Sequence, residues 1–260
     1  MLNDSRYKRS IDMKFQLISD NHTRKVWLNP EADLVVHAGD FGNCGIYHLL
    51  EFVKQCNDAS KPYVLVLGNH DLYRTCYPTL FKFLDSYNIN YLVAGKEFKF
   101  EGITFIGDTL FTNFRSNKLL YDDPAQLDKN KTEGHLIYDF HQIGYKEQGL
   151  VTPNDYITEF NKQWSWFQTY KNKEDVVVVT HFPPHIAALS DYWANNEQSK
   201  KFNPYFVNDM SLEGFKIWCS GHTHTGIDKI VDGCRFVINP MGHSSEDQFT
   251  NFNKDLLIEV

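Results

Sequence analysis

Five apolar runs in this chain each end in a cluster of Asp, Asn, His and Gly, and that repetition constrains the fold more than any other feature. "KFQLIS" (14–19) leads into Asp20, Asn21 and His22, and "ADLVVH" (32–37) into Gly39 and Asp40. "KPYVLVL" (61–67) leads into Gly68, Asn69, His70 and Asp71, "DVVVVT" (175–180) into His181, and "FKIWCS" (215–220) into Gly221, His222, Thr223 and His224. Short runs rich in β-branched and aromatic residues, bounded by turn formers, read as buried strands. "ITFIG" (103–107) reads as another. Between the second and third runs, Leu49, Leu50, Phe52, Val53 and Cys56 recur at helical spacing, and "TLFKFLDSY" repeats the pattern after the third. Alternating strands and helices predict an α/β fold. In such folds ligands bind beyond the carboxyl ends of the strands, so clusters far apart in sequence should meet in space. Gly39, Gly68 and Gly221 are read as the tight exits from the strands.

The rest of the chain is less regular. Asp232 and Gly233 between apolar runs predict a hairpin, and with "DLLIEV" at the end a mixed second sheet is expected there. From Phe111 to about Tyr156 the sequence is polar and aromatic with weak periodicity, which reads as an active-site lid or surface insertion within a single domain over 1–260. "ITEFNKQWSWFQTY" is expected to be a helix whose Trp164, Trp166 and Phe167 pack into the core. Tyr192 and Trp193, in an irregular stretch, are candidates to stack on a base.

Composition narrows the function classes. A hydrophobic content of 42% in 260 residues supports a sizeable core, and a net charge of −7 argues against a protein whose main task is binding nucleic acid through phosphates. No apolar run approaches a membrane span, and the polar opening lacks an apolar signal region, with Met13 a candidate start. Cys44, Cys56, Cys76, Cys219 and Cys234 are scattered without a CxxC pair, so reduced thiols and a cytoplasmic location are expected, with Cys219 a small buried apolar residue.

Taken singly, each cluster has a plain reading as a turn, a helix cap or a polar loop. Taken together they offer carboxylate, carboxamide and imidazole donors without thiolates, a set that suits first-row divalent ions rather than a structural zinc knuckle. The ordered set D-x-H, GD, GNHD, TH and GHTH resembles the calcineurin-like metallophosphoesterases over nearly the whole chain, from Lys14 to Val260. The likeness extends to "HAGD" (37–40) and to "NP-x-G" (239–242) followed by "IEV".

That resemblance implies a four-layer α/β/β/α sandwich and two divalent ions, manganese first, with iron, zinc, nickel or magnesium as alternatives. Asp20, His22 and His224 would hold one ion, Asn69, His181 and His222 the other, and Asp40 would bridge them. A metal-bound hydroxide would attack a phosphate ester while His70 assists the leaving oxygen. The expected substrate is a phosphodiester of a nucleotide-like or other small molecule. A phosphomonoesterase or protein phosphatase, a nuclease and a scaffold without catalysis are the alternatives, the last disfavoured because every ligand position is filled.

Departures from the pattern are specific. Asn43 stands where many relatives carry an Asp that steadies the histidine, and Phe182 follows His181 where a second histidine is common, with His185 arriving later as a substrate contact or a loop residue. Asp139 is kept near His141, a candidate replacement for a missing patch, and Arg115 or Lys118 are candidates to meet the phosphate. His243, Glu246 and Asp247 are read as a solvated loop at the rim.

Overall fold

A computed structural model describes residues 13–116, 137–146, 149–196, 200 and 202–260. The strands form two sheets. In the first, β1 (Lys14–Ile18), β2 (Leu34–His37) and β3 (Tyr63–Leu65) run parallel, and β10 (Leu257–Glu259) closes antiparallel on the outer side of β1. In the second, β5 (Ile103–Asp108), β6 (Val176–Thr180), β7 (Ile217–Ser220) and β9 (Cys234–Ile238) run parallel, with β4 (Phe98–Phe100) and β8 (Ile227–Val231) antiparallel at the edges.

Period-two alternation on continuously apolar strands builds the layers. Phe15, Leu17, Val36 and Val64 of the first sheet meet Phe105, Val177, Val179 and Val237 of the second. The opposite faces carry helices. Ile18, Val35 and Leu65 pack under α1 (Tyr47–Asp58) through Leu49, Phe52 and Cys56, and under α3 (Tyr77–Ser86) through Leu80 and Leu84. Val176, Val178, Trp218 and Phe236 pack under Phe160 and Phe167 of α5 (Pro153–Gln168), with Trp164 and Trp166 partly buried beside them. The result is the four-layer α/β/β/α sandwich, and all five cysteines are unpaired.

Three sequence expectations change. The "DG" hairpin forms, with φ +50° at Asp232 and +81° at Gly233, but it widens the second sheet while the chain end returns to the first. A second hairpin of the same kind, turning at Glu101 (φ +47°) and Gly102 (φ +84°), joins β4 to β5. The stretch 111–156 is partly core where it is described: Phe111, Phe114, Phe140, Ile143 and Tyr156 are buried in one cluster with Phe182, while Arg115, Tyr138, His141 and Leu150 stay exposed. Aromatic rings that pack from irregular backbone leave no period in sequence, which is why this part of the core is invisible to pattern reading. The helix α5 starts at Pro153 rather than Ile157, because Thr152 and Asp155 close a reciprocal cap and Pro153 occupies the first turn. No helix among the described residues is long and apolar enough to cross a membrane.

Candidate metal centre

Hydrogen bonds between loops of different sheets bring the strand ends to one edge. The His222 amide donates to Asp20 Oδ1 at 2.9 Å, and His181 Nδ1 meets the Ala38 carbonyl at 2.8 Å. All eight positions expected from sequence, Asp20, His22, Asp40, Asn69, His70, His181, His222 and His224, converge there.

The donors separate into two groups on either side of Asp40. In one, His22 Nε2 lies 3.0 Å from His224 Nε2 and 3.9 Å from Asp40 Oδ2, and His224 Nε2 lies 3.6 Å from Asp20 Oδ1. In the other, His181 Nε2 lies 3.0 Å from Asn69 Oδ1, 3.2 Å from His222 Nδ1 and 3.4 Å from Asp40 Oδ2. His222 and His224 therefore face different groups, although one residue separates them. The backbone permits this by taking left-handed conformations at both, φ +73° and +49°. Asp20, His22 and Asp40 are left-handed as well, at +52°, +40° and +61°. Such conformations are costly for residues with a Cβ and persist where the surroundings over-determine them, as at functional sites.

Glycine is required here mainly for close approach. A Cβ on Gly68 would sit 2.0 Å from Asp40 Oδ1, and one on Gly221 would sit 2.7 Å from Asp20 Oδ2. Of the three, only Gly39 uses a left-handed φ, +91°. The expectation of three tight exits is thus met once, and the other two glycines leave room for carboxylates.

A shell of fixed partners orients the donors. Asp71 accepts from the amides of Asp40, Phe41 and Gly68 at 2.9–3.0 Å, clamping the two loops together. Asp139 accepts from Asn69 Nδ2 at 2.9 Å, so the carboxamide oxygen is left facing His181, and the Tyr73 and Tyr156 hydroxyls, each at 2.7 Å, engage the same carboxylate. His181 donates Nδ1–H to a carbonyl, and His224 Nδ1 meets Glu246 Oε2 at 2.7 Å, so each presents Nε2 inward. His243 stacks on His22 at 4.0 Å and 23°. A ring nitrogen of His243 lies within 4.8 Å of the donor nitrogens of His22 and His224, so His243 is a further candidate donor to the first group. These contacts overturn the reading of His243 and Glu246 as solvated loop, and Asp247 is paired with Arg24 at 2.6 Å.

Protonation favours donors. Burial holds His22 down to about 4, and burial with the neighbouring His181 holds His222 well below its ordinary value, so both rings are neutral. Burial would also keep His181 neutral, yet Asp40 at 3.4 Å pushes it up to about 9. Burial acts against ionisation of Asp40, but His181 and His70 hold its carboxyl well below the usual range. His22 Nδ1, His70 Nδ1 and His222 Nε2 are buried without hydrogen-bond partners, and the clustered carboxylate, amide and imidazole donors fit divalent ions.

His70 stands at the start of α2 (Asn69–Leu72), its amide on Asp40 Oδ1 at 3.0 Å and its ring 4.9 Å from that of His22. It lines a cavity of about 1110 Å³ above the donor groups. Asn43, Arg74, Tyr192 and Trp193 also line it. The expected substrate contacts do not. Arg115 is exposed, its backbone held by Asn113 Oδ1; His141 is exposed on α4 (Asp139–Gln142), which turns Asp139 inward instead; and His185 caps a short 3-10 turn by accepting the Ala187 amide at 2.9 Å. Lys118 lies outside the described residues.

The sequence profile of the calcineurin-like phosphoesterases matches residues 13–226. No curated protein matches the chain by sequence. Among solved structures the chain is similar to a phosphopantetheinyl hydrolase from Mycobacterium tuberculosis, with a TM-score of 0.69, 15% identity and 96% of each chain covered. A putative 5'-nucleotidase from Staphylococcus aureus in complex with alpha-ketoglutarate matches at a TM-score of 0.42 and 14% identity, over 88% of this chain and 48% of that one. The chain belongs to the calcineurin-like phosphoesterase family and is a metal-dependent hydrolase of phosphate esters.

Proposed function

We propose that the chain hydrolyses a phosphodiester of a small, nucleotide-like molecule, with one divalent ion held by Asp20, His22 and His224, a second by Asn69, His181 and His222, and Asp40 shared between them. The observation that carries this is the division of the donors into two groups about one carboxylate. When bound, two such ions supply Lewis acidity and a water of lowered pKa. Manganese is the first choice because the donors are oxygen and neutral nitrogen, a set that also accepts iron, zinc, nickel or magnesium. Unpaired cysteines fit a reducing, cytoplasmic setting.

The residues divide the remaining work. Asp71 and Asp139 fix the approach of Asp40 and Asn69, and Glu246 fixes the tautomer of His224. His70, on the cavity wall beside Asp40, delivers a proton to the departing alcohol oxygen. Arg74 is the only Lys or Arg among the described lining residues, which suits the single charge of a diester better than the two of a monoester and leaves a nucleic-acid strand poorly served.

Protein stripped by a chelator is expected to lose turnover of a bis-aryl phosphate and regain it with manganese, with the matching aryl monophosphate the poorer substrate in initial-rate assays. Faster turnover of the monoester would overturn the diester assignment. Glu246→Ala is expected to weaken one ion of the pair by about 10–100-fold and leave the other, read as two separated steps in a metal titration. Equal weakening of both steps would count against a role confined to His224.

A further inference from the structure

The cavity above the centre has a mixed lining. Beside Asp40, Asn69 and His70 it carries Tyr138, Tyr192, Trp193, Phe206 and Phe249, with Ile137 and Leu189 the only Ile or Leu side chains among the described lining residues. Tyr192, Trp193 and Phe206 keep 63%, 45% and 39% of their surfaces exposed, unusual for large aromatic groups gathered at one place and a mark of a binding surface.

This lining is tied to the metal centre. Trp193, on α6 (Asp191–Asn195), has its carbonyl held by Asn203 Nδ2 at 3.0 Å. Asn203 opens α7 (Asn203–Phe206), and the Phe206 ring at its end stacks on His222 at 5.3 Å and 24°. Phe206 thus joins the aromatic lining to the donor groups, and Trp193 lines the same cavity. Arg74, also in the lining, sits in a left-handed conformation, φ +59°, with its amide on the Gln142 carbonyl at 2.7 Å. Its guanidinium is exposed and has no hydrogen-bond or ion-pair partner among the described residues, leaving it free for an anionic oxygen.

We propose that the cavity is a subsite for the organic part of the substrate, an aromatic ring system carried by the alcohol of the phosphate ester, with Trp193 and Phe206 against the ring and Arg74 on the phosphate. The proposal rests on the hydrolytic reading of the centre for the position of the phosphate. The lining's chemistry selects the class. Ring faces reward another ring beyond the area they bury, whereas a flexible aliphatic chain gains area alone and loses more rotational freedom on binding. One cation serves one phosphate, so polyphosphates and strands are excluded from this subsite.

The test uses methylphosphinates, which carry one charge and no hydrolysable bond, bearing a 2-naphthylethyl, octyl or ethyl group, titrated calorimetrically into manganese-loaded protein. The naphthyl ligand is expected to bind about tenfold tighter than the ethyl one and about threefold tighter than the octyl one, the ring-specific increment being of that order. Trp193→Ala should bring the naphthyl-to-ethyl ratio to roughly threefold or less, Trp193→Phe should retain most of it, and Arg74→Gln should weaken all three ligands alike by about tenfold. Octyl binding as tightly as naphthyl, or a ratio unmoved by Trp193→Ala, overturns the proposal. An intact ranking with no hydrolysis of the corresponding phosphodiesters would instead overturn the hydrolytic reading and leave the subsite standing.

Discussion

Asp40→Asn is expected to leave the fold intact, to lower the bound metal below two ions per chain, and to reduce kcat/KM by about 10³-fold, equivalent to about 4 kcal/mol of transition-state stabilisation. The fold survives because the amide keeps the shape: its oxygen still accepts the His70 amide that Asp40 Oδ1 accepts at 3.0 Å. What is lost is the one charge lying between the two donor groups, 3.4 Å from His181 Nε2 and 3.9 Å from His22 Nε2. A pH experiment comparing metal-free wild type with the variant reports on that charge. His181 is raised from its ordinary 6.5 to about 9, chiefly against burial by Asp40, so its protonated form contributes stability that is present below about pH 6.5 and is lost as pH rises through about 9. Melting temperature should therefore fall across that window in metal-free wild type, while metal affinity rises across it because the proton must leave before Nε2 can coordinate. In Asp40→Asn the largest raising charge on His181 is gone, so the fall in melting temperature should be smaller than in wild type, the remainder coming from Asp71, which burial pushes up to about 8. Elemental analysis showing two ions in the variant, with kcat/KM within tenfold of wild type, would remove Asp40 from the shared position.

The donors were legible in sequence because each follows a strand, and the strands were legible because they are apolar on both faces; Val176–Thr180 buries Val177 and Val179 between the sheets and Val176 and Val178 under α5. The sorting of His222 and His224 to different groups came from resemblance, since no spacing rule dictates that two left-handed residues splay in that way. The orienting carboxylates were hidden for a different reason. Glu246 meets His224 from 22 positions along the chain, and Asp139 meets Asn69 from 70 positions away, across irregular backbone whose course no periodicity encodes. Arg74 lies three residues beyond the GNHD motif, where neither periodicity nor spacing marks a lone cation as facing the site; the structure turns Arg115 to solvent and Arg74 to the cavity. The strongest local signals thus located the reacting centre, and tertiary contacts alone located what positions it.

His70→Ala is expected to lower kcat by about 10²–10⁴-fold with little change in KM, the signature of a group that acts in the transition state. The size of the loss should depend on the alcohol. An alkyl diester expels a strongly basic alkoxide that gains most from a delivered proton, whereas a nitrophenyl diester expels an anion stable without one. The alkyl ester should therefore lose toward 10⁴-fold and the nitrophenyl ester about 10²-fold or less. The side chain is well isolated for this comparison. Its Nδ1 is buried without a partner, and among the described residues its ring packs against the rings of His22 and Tyr73, edge-on or tilted, so truncation breaks no side-chain hydrogen bond there and the melting temperature should hold within a few degrees. Metal content should remain two ions per chain, since the six other donors and Asp40 are untouched; that separates this variant from Asp40→Asn, in which activity and metal fall together. If the two leaving groups lose activity equally, His70 acts on charge at the phosphoryl oxygens rather than as the proton donor. If metal is lost as well, the proximity of its ring to His22 and Asp40 means that it is itself a ligand, and the proton must come from elsewhere on the cavity wall.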